Sequence, residues 1–424
     1  MNIKYHRLKG TRDIMLQEAE RWQWCEERWQ EVLGRYGFSE IRTPIIEPTE
    51  LFIRSVGAGT DIVDKEMYTF RTKGEESLTL RPEATASVVR AYLENGLTRQ
   101  PGTLKFFYIG PMFRHDRPQA GRYRQFHQVG VEAIGSDSPV LDAEIIRTAM
   151  ALFEAVDAEG LSVRLNNIGT VEDRPAYVEQ LGAWARSQRD EFCATCRKRM
   201  DTNPLRLFDC KVESCQALLA DYPPIIGFLS KENQEHHQVV CETLEELGVP
   251  YVEDHTLVRG LDYYTRTTFE ITAKTGRKQS SLCGGGRYDG LVEQCGGSPT
   301  PAIGFSLGIE RTIKHLYEDE IDPQRSRQAS LEVYVACLGR EAEKYGIRHA
   351  DLIRGLCRVE VDTSGRSMRA QVKSADLRGA QVLLIVGEDE IAQGIFQLKN
   401  LDTGIQSPVH KSEILAAVRE VLGL

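Results

Sequence analysis

The sequence has no apolar run long enough to cross a bilayer. Its 424 residues are 41% hydrophobic and 27% charged, and no stretch reaches the roughly 20 apolar residues that a membrane-spanning helix needs. The polar beginning, MNIKYHRLKGTRD, also lacks the apolar core of a secretory signal peptide. We therefore expect a cytoplasmic protein that is not anchored in a membrane.

An excess of positive charge is absent as well. Lysine and arginine number 53 against 62 aspartate and glutamate residues, which gives a formal net charge of -9. Proteins that coat nucleic acid without sequence preference are basic overall. The charge balance excludes that class of protein and leaves room only for local basic patches.

The ten cysteines lack the spacing of a small-domain disulfide framework. Thiols of an intracellular protein are normally reduced, and most of these should be small buried side chains. One group has the pattern C-x-x-C followed by C-x-x-x-x-C, at Cys193, Cys196, Cys210 and Cys215. Four thiolates can close a tetrahedral zinc site, although the second pair is loosely spaced. We favour reduced structural thiols here and keep zinc as the alternative.

Two common phosphate-binding loops are missing. No segment matches the P-loop pattern G-x-x-x-x-G-K-[ST], and CGGGRYDG at 283–290 does not match the dinucleotide fingerprint G-x-G-x-x-G. The clustered glycines of that segment instead allow a backbone or a ligand to approach a sheet closely. A nucleotide, if one is bound, needs a cradle of another kind.

The first part of the chain predicts a helix followed by an antiparallel sheet. Apolar residues at helical spacing predict a helix over 18–36. FSEIRTPIIEPTELF mixes β-branched residues with prolines, which suits an edge or interface strand. ESLTLRPEATASVVRAYLEN predicts a strand, a turn at Arg81 to Glu83 and a helix from about Ala84, while LKFFYIGPMFRH and YRQFHQVGVEAIG predict a hairpin.

The pattern then becomes mainly helical and more charged, and we interpret about 170–250 as an insertion. Strand patterns return at LVRGLDYYTRTTFEITA and at AIGFSLG, which leads directly into the helix IERTIKHLY. The polar segment 318–330 predicts a linker. Strands and helices alternate after it, as in an α/β domain. The predicted domains are therefore 1–325, which contains the insertion, and 326–424.

The turn between the hairpin strands carries Arg114, Arg117, Arg122 and Arg124. A turn does not require guanidinium groups, so we expect another role for them. Along the second strand the side chains alternate between faces, which places Gln128 and Glu132 on the same side as Arg124. A solvated outer face is the alternative explanation for such a strand.

A further strand presents an unusually bare face. In AIGFSLGIERTI, Gly304, Ser306 and Gly308 alternate along the strand, and Arg311 lies in the first turn of the following helix. Small residues on a strand most often serve tight helix packing. With an arginine beside it, the bare face also fits a flat adenine ring.

Taken together, these segments resemble the class II aminoacyl-tRNA synthetases. IRTPIIEPTELF resembles motif 1 of that class, FRHDRPQAGRYRQFHQVGVE motif 2 and AIGFSLGIERTI motif 3, while LVRGLDYYTRTTFE and GGGRYDGL are similar to the two signatures of the histidyl-tRNA synthetase family. The resemblance covers essentially the whole chain. It implies an α+β class II catalytic domain, with an antiparallel sheet flanked by helices and a helical insertion, and a C-terminal α/β anticodon-binding domain.

The resemblance implies that histidine and ATP give histidyl-adenylate and pyrophosphate, and that the histidyl group then passes to the 3′ end of tRNA(His). Positioned cations stabilise the negative charge that gathers at the reacting phosphate. By resemblance, Arg114 and Arg259 approach the α-phosphate from opposite faces, Arg311 holds the γ-phosphate side, and Arg122 is a further ATP contact. Arg259, Arg114 and Glu83 are the implied catalytic residues, and Mg²⁺ should accompany ATP.

Recognition of histidine follows from its imidazole, which offers one N–H and one bare nitrogen and so needs an acceptor and a donor. By resemblance, Glu132 is the acceptor and Tyr264 is the donor, with Tyr263 nearby. The resemblance also assigns residues to the α-amino group, namely Glu83, Thr85 and Gln128.

The remaining implications concern partners. By resemblance, Arg117 and Gln119 lie near the acceptor end of tRNA, and motif 1 forms a homodimer. The implied catalysis does not call for zinc. The rival interpretation is a histidine-binding regulatory paralogue of ATP phosphoribosyltransferase. Such paralogues generally lack the RGLDYY signature and the anticodon domain, and this chain has both.

Overall fold

The computed structural model describes residues 4–57, 60, 62–116, 121–275, 278–317 and 331–424. The chain forms two compact units, Met1–Glu320 and Ile321–Leu424. The predicted linker, 318–330, lies outside the described residues. Within the described parts of the chain, no helix has both the length and the apolar character needed to traverse a bilayer.

The first unit contains a large sheet and a small one. Its described strands are β1 (Ser39–Glu40), β2 (Ile46–Pro48), β3 (Tyr68–Arg71), β4 (Ser77–Leu80), β5 (Leu104–Phe113), β6 (Gln125–Ile134), β7 (Leu161–Asn167), β8 (Tyr251–Glu253), β9 (Thr265–Thr275), β10 (Lys278–Arg287) and β11 (Ala302–Gly308). Eight strands form the large sheet in the order β1-β5-β6-β11-β10-β9-β7-β8, and β2-β4-β3 form the small one. Neighbours in the large sheet are antiparallel except at β1–β5 and β7–β8, so the predicted antiparallel sheet is confirmed.

The helices of this unit pack against the two sheets or against one another, or form the insertion. They are α1 (Gln17–Arg35), α2 (Thr49–Val56), α3 (Thr85–Glu94), α4 (Pro139–Glu154), α5 (Arg174–Ser187), α6 (Ala194–Thr202), α7 (Glu213–Ala220), α8 (Lys231–Glu246), α9 (Leu291–Gln294) and α10 (Ile309–Tyr317). The predicted first helix is confirmed as α1, which buries Trp22, Trp29 and Leu33 in the main core together with α4 and the inner faces of β6 and β11.

The predicted hairpin lies in the large sheet. β5 and β6 pair over their whole length, from Leu104 opposite Ile134 to Phe113 opposite Gln125. β11 pairs with the other edge of β6 and runs directly into α10, as the sequence predicts. The apolar side chains of β6, such as Val129 and Val131, face the main core. Its opposite face is therefore free to line a site.

One predicted strand is wrong at its beginning. The strand pattern starts at Leu257, but β9 starts only at Thr265, and the preceding residues form turns and irregular backbone. The backbone N–H of Asp262 donates to the carbonyl of Val56, so this loop is held against α2 rather than in the sheet. Tyrosines favour strands on average, and here burial in a cavity outweighs that preference.

A buried ion pair ties α4 to β10 beneath the sheet. The side chains of Arg287 and Asp142 are both 0% exposed, and Arg287 Nη2 lies 2.6 Å from Asp142 Oδ1. The hydroxyl of Thr267 donates to Asp142 Oδ2 at 2.6 Å, and His236 Nε2 lies 2.8 Å from the same oxygen. Such a pair is costly to break, because the remaining charge would be left buried without a counter-ion.

The chain leaves the large sheet after β7, forms the helices α5 to α8, and returns to the sheet at β8. They fall within the segment that we interpret as an insertion, whereas the sequence analysis did not single out β7. The part from α5 to α7 has its own hydrophobic core, in which Tyr177, Leu181 and Phe192 pack with Met200 and Leu207. The part of the insertion from α5 to α7 can therefore hold its shape apart from the main core, whereas α8 packs into the main core through Val240 and Leu244.

The second unit is an α/β domain with a mixed sheet. Its elements are β12 (Val333–Cys337), α11 (Arg340–Ile353), β13 (Val359–Val361), α12 (Met368–Leu377), β14 (Val382–Val386), α13 (Glu388–Gln393), β15 (Ile395–Asn400), β16 (Gln406–His410) and α14 (Ile414–Leu422). The order is β13-β12-β14-β15-β16, parallel among the first three strands and antiparallel from β14 onward. The predicted alternation of strands and helices is confirmed.

Candidate active site

A cavity of about 490 Å³ opens on the face of β6 that points away from the main core. Its wall is formed by the start of α3, the loop before β9, and the strands β6, β10 and β11. The wall includes every described residue that the sequence analysis assigned to histidine or ATP: Glu83, Thr85, Arg114, Arg122, Gln128, Glu132, Arg259, Tyr263, Tyr264 and Arg311. Arg117 and Gln119 lie outside the described residues.

Glu132 lines this cavity beside Tyr108 and Tyr288 and is 1% exposed. The hydroxyl of Thr85 donates to its Oε1 at 2.7 Å, and the hydroxyl of Tyr288 donates to its Oε2. Burial raises the pKa of Glu132 to about 8, while the hydrogen bonds from Tyr288 and Thr85 act in the opposite direction. The site thus holds a fixed carboxyl group that changes charge near neutral pH.

Two glycines make room for the Glu132 side chain and its neighbour. A Cβ at Gly304 would lie 2.1 Å from Glu132 Oε2, and a Cβ at Gly130 would lie 2.2 Å from the ring of Tyr108. Both distances are shorter than a van der Waals contact, so any larger residue would displace these side chains. The bare face predicted for β11 therefore serves, at Gly304, to admit the carboxyl group from β6.

Glu83 organises the start of α3. Its Oε2 accepts the backbone N–H of Thr85 at 2.6 Å, and its Oε1 accepts that of Ala86 at 3.0 Å. Burial raises the pKa of Glu83, whereas these two backbone hydrogen bonds lower it. A carboxylate at the N-terminus of a helix satisfies free N–H groups and interacts well with the helix dipole. It also adds negative charge to the cavity close to Glu132.

Arg259 crosses the cavity floor over the glycine-rich strand β10. A Cβ at Gly284 would lie 2.2 Å from Arg259 Nη2, so the guanidinium occupies the space that a side chain at 284 would take. Its Cζ is 5.8 Å from the Tyr264 ring centroid, and its Nη1 is 3.5 Å from Glu270 Oε1. The buried Nε of Arg259 has no hydrogen-bond partner among the described residues. That donor is available to a ligand.

Arg114 enters the cavity from the end of the hairpin. Its Nε donates to the carbonyl of Pro82 at 2.8 Å, and its Cζ lies 5.3 Å from the ring centroid of Phe126. Burial lowers the pKa of Arg114, which the nearby carboxylates Glu66 and Glu83 partly offset. The hydrogen bond and the ring fix the direction of the guanidinium, which lines the cavity.

Arg311 and Arg122 form a second cationic wall. Arg311 Nε donates to the carbonyl of Gly121 at 3.2 Å, and its Nη1 donates to that of Ser281 at 2.9 Å. Arg122 pairs with Asp116 at 3.0 Å. Burial, followed by repulsion from Arg122 and Arg114, lowers the pKa of Arg311. Cations that repel one another in this way favour a polyanionic ligand between them.

The floor between the two walls carries amide, hydroxyl and phenol groups. Gln128 Nε2 donates to the hydroxyl of Ser306 at 3.0 Å, and its buried Oε1 has no partner among the described residues. The rings of Tyr263 and Tyr264 lie 4.7 Å apart, and Tyr263 lies 5.7 Å from Tyr288. Gln128 can therefore accept a hydrogen bond from a ligand beside a packed group of tyrosines.

Sequence reasoning missed several residues of this cavity. Tyr288 lies within the quoted GGGRYDG segment, but nothing in its spacing indicates that its hydroxyl reaches Glu132. The insertion also contributes charged residues to the wall, namely Arg199, Arg206, Asp209 and Lys211. Their contact with the cavity depends on how the insertion folds back, and that direction has no local sequence signal.

The comparison with protein families covers both units. The family model described as histidyl-tRNA synthetase matches residues 10–312, and the model described as anticodon binding domain matches residues 332–421. A histidine–tRNA ligase of Desulforamulus reducens is 44% identical over 414 residues, covering 97% of this chain and 98% of the relative. One of Halothermothrix orenii is 43% identical over 424 residues, covering 100% of both chains.

Solved structures give the same picture. The apo histidyl-tRNA synthetase of S. aureus is similar with a TM-score of 0.81 and 34% identity, covering 98% of this chain and 100% of that one. An ATP phosphoribosyltransferase regulatory subunit/histidyl-tRNA synthetase from Bacillus halodurans is similar with a TM-score of 0.67 and 20% identity, covering 91% of this chain and 99% of that one. At that identity the second likeness concerns the fold alone.

Proposed function

The chain belongs to the histidyl-tRNA synthetase family, the class II ligases that join histidine to its tRNA, and we propose how its cavity performs this reaction. The carboxylate of histidine attacks the α-phosphorus of ATP and expels pyrophosphate. The 3′-hydroxyl of tRNA(His) then attacks the carbonyl carbon of the adenylate and releases AMP. Both steps take place where the cationic walls and the Glu132 end of the cavity meet.

The arginines act on the phosphates. Arg114 and Arg259 approach the α-phosphate from opposite sides, and Arg311 binds the γ-phosphate with Arg122 nearby. The support is that all four guanidinium groups line one cavity, with Arg114 and Arg311 held in place by backbone carbonyls. Groups that are already oriented stabilise the charge of the transition state without reorganising during the reaction.

Glu132 and Tyr264 read the imidazole. The carboxylate accepts the imidazole N–H, and the hydroxyl of Tyr264 donates to the bare nitrogen, while Tyr263 packs against Tyr264. Thr85 and Tyr288 support this role because they hold the two carboxylate oxygens of Glu132 in place. An amino acid that lacks the imidazole would leave this buried carboxyl group one hydrogen-bond donor short, which costs about 1–3 kcal/mol or more for a charged group.

The α-amino group binds between Glu83, Gln128 and Thr85. Gln128 Oε1 is a buried acceptor with no partner among the described residues, and an ammonium group would supply the missing donor. Glu83 adds a negative charge at the same end of the cavity. Together they orient the α-carboxylate of histidine toward Arg114 and Arg259, so Glu83 contributes to catalysis by placing the nucleophile.

ATP enters as its complex with a divalent cation, for which we propose Mg²⁺, since phosphate oxygens are hard ligands. The carboxylates nearest the phosphate end are already engaged. Glu270 lies 3.4 Å from Arg164 and 3.5 Å from Arg259, and Glu310 accepts the backbone N–H of His127. With these carboxylates engaged, the phosphates of the substrate would be the main ligands of the cation.

The tRNA contacts divide between the two units. Arg117 and Gln119 are proposed to meet the acceptor end, because they lie between Arg114 and Arg122 in the sequence. The second unit is proposed to bind the anticodon, in keeping with its family match at residues 332–421. We assign the catalytic domain to 1–325, with an insertion at about 170–250, and the anticodon-binding domain to 326–424. We propose that the protein charges its tRNA in the cytoplasm.

A homodimer is proposed through the small sheet and α2, the region that contains motif 1. Four apolar side chains there are about two-fifths exposed: Ile45, Ile46, Ile53 and Phe70. Clustered exposed apolar residues often mark an interface. Sedimentation should give a dimer for the parent chain, a monomer for Ile46→Glu and a dimer for the control Leu377→Glu. A monomeric parent chain would exclude this proposal.

The observation that carries the proposed function is the meeting of four arginines and a buried, tyrosine-supported carboxyl group in one cavity. The test is histidine-dependent exchange of pyrophosphate into ATP, followed by charging of tRNA(His). We expect exchange with histidine and none with glutamine or phenylalanine. A regulatory paralogue would bind histidine without exchange, and that result would replace the proposed function with the rival one.

A further inference from the structure

The insertion brings four cysteine sulfurs together beside the cavity. Cys193 immediately precedes α6, and Cys196 lies in its first turn. Cys210 lies shortly before α7, and Cys215 lies within that helix. The four Sγ atoms all lie within 4.8 Å of one another, and Cys193 Sγ is 3.8 Å from Cys210 Sγ. A tetrahedron with Zn–S bonds of about 2.3 Å has S···S edges of about 3.8 Å. The Cys193–Cys210 distance matches that edge, and none of the S···S distances within this group exceeds it by more than about 1 Å.

Backbone N–H groups point at these sulfurs. The N–H of Cys196 donates to Cys193 Sγ at 3.5 Å, that of Cys193 to Cys215 Sγ at 3.3 Å, and that of Val212 to Cys210 Sγ at 3.5 Å. Uncharged thiols packed as small hydrophobic groups gain little from such donors. Donors aimed at sulfur stabilise thiolates and orient them as ligands. These N–H···S hydrogen bonds thus point to a bound cation independently of the S···S distances.

Burial of the group fits a structural ion rather than a catalytic one. Cys196 and Cys215 are 0% exposed and Cys210 is 5% exposed, whereas Cys193 is partly exposed and offers a way in. All four ligands are cysteines, so no coordination position is left for water, as in closed structural zinc sites. The other described group of this kind, His237 with Cys241 and Glu253, has only three members, and Glu253 is exposed.

We propose that Cys193, Cys196, Cys210 and Cys215 bind one structural zinc ion that fixes the insertion. The convergence of the sulfurs reverses the preference for plain reduced thiols that the loose spacing of the second pair suggested. Zinc then closes a loop that runs from Cys196 to Cys210. An ion bound only to the folded chain stabilises it by mass action.

The loop closed by zinc reaches the cavity. Arg199, Arg206 and Asp209, which lie between the two cysteine pairs, are part of the cavity wall. Arg206 Nη2 donates to the carbonyl of Gly260 at 3.0 Å, and its Nε lies 3.8 Å from Asp262 Oδ1. Gly260 and Asp262 belong to the loop that carries Arg259. Zinc therefore holds in place the part of the insertion that packs on this loop.

Metal analysis of the purified full-length chain tests the site. We expect about one zinc ion per chain in the parent protein, as four thiolates hold one ion. Cys193→Ser should lose most of it, while the control Cys357→Ser, another partly exposed cysteine, should keep it. Removal of zinc from the parent chain should also speed tryptic cleavage at Arg197, Arg199, Arg206 or Lys211, with little change in the second unit.

If Cys193→Ser fails to fold, cobalt replacement in the parent chain gives the same information, because tetrahedral Co²⁺–thiolate has a characteristic visible spectrum. Metal-free protein with all four thiols open to titration would overturn the proposal. So would iron with labile sulfide, or two disulfides, in place of zinc. These measurements need no aminoacylation activity, so their outcome is independent of the proposed function.

Discussion

Replacing Glu132 with glutamine removes the titrating acceptor of the cavity while keeping its shape. In the parent chain, Glu132 is 1% exposed, and its carboxyl oxygens are held by Thr85 and Tyr288. Hydrogen bonds to charged groups contribute about 1.5–3 kcal/mol. Because a tenfold change in affinity corresponds to about 1.4 kcal/mol, we expect Glu132→Gln to weaken histidine binding by about 10- to 150-fold at pH 8.

The pH dependence of binding gives a sharper test. Burial raises the pKa of Glu132 to about 8, so at pH 7 the carboxyl group of the free protein is mostly protonated. The carboxylate is a stronger acceptor for the imidazole N–H than the protonated acid is, so we expect binding to favour the charged form and to release the proton. Histidine affinity should therefore rise about fivefold between pH 7 and pH 8 and level off above about pH 9. Over this range free imidazole is mainly neutral, since its pKa is about 6.5.

Titration calorimetry in two buffers of different ionisation enthalpy measures how many protons are released for each histidine bound. The parent chain should release about one proton per histidine at pH 7, and Glu132→Gln should release much less, because an amide does not titrate. Glu83 and Asp209 are further carboxyl groups of the cavity whose pKa is raised by burial, and both are present in the parent chain and in Glu132→Gln, so the difference between the two proteins isolates Glu132. The exposed Glu154→Gln is the control. Equal proton release by the parent and Glu132→Gln would refute the reasoning.

The same pKa affects the stability of the ligand-free chain. The pKa of Glu132 rises from the ordinary 4.5 to about 8 on folding, so between these values the folded state holds a proton that the unfolded state has lost. The contribution of this group to the free energy of unfolding is therefore complete below about pH 4.5, and it falls as pH rises toward 8. Glu132→Gln should make the free energy of unfolding less dependent on pH between about 4.5 and 8.

Two further substitutions test the geometry. Gly284→Ala adds a Cβ that would lie only 2.2 Å from Arg259 Nη2 and so displaces the guanidinium group. ATP–pyrophosphate exchange should then fall by about tenfold or more, with histidine affinity nearly unchanged. The control is Gly34→Ala, whose Cβ meets nothing within 4 Å. Asp142→Asn leaves the 0% exposed Arg287 side chain without its full counter-charge, so denaturant unfolding should show a loss of about 3–5 kcal/mol. Glu154→Gln, which breaks a more exposed ion pair with Arg147, should cost less than about 1 kcal/mol.

The sequence predicts most of the fold because its local signals agree with the tertiary structure. The apolar stripe of α1, the hairpin around Gly121, and the step from β11 into α10 follow from periodicity and turn residues. The segment before β9 is the exception. Its tyrosines favour a strand, yet the tertiary structure turns Tyr263 and Tyr264 into the cavity, where both are buried.

Some residues of the site can also be placed from the sequence alone, whereas others depend on the tertiary structure. Phe126, Gln128 and Glu132 could be placed on one face of a strand by alternation alone. The role of Gly304 could not, because it depends on the register that sets β11 beside β6, with Gly304 opposite Glu132. Register and the path of an insertion are long-range properties, and a single sequence carries no direct signal for either. The hydrogen bond from Tyr288 to Glu132 is a further example.

The most direct test of the account is to separate catalysis from histidine binding at Arg259. Arg259→His should lower histidine-dependent ATP–pyrophosphate exchange by about 10²-fold or more, because a fixed donor to the reacting phosphate is lost. Histidine affinity, measured by calorimetry on the same preparation, should stay within about threefold, or 0.7 kcal/mol. Unchanged exchange by Arg259→His, with histidine still bound, would contradict the claim that the cavity activates histidine through this guanidinium group.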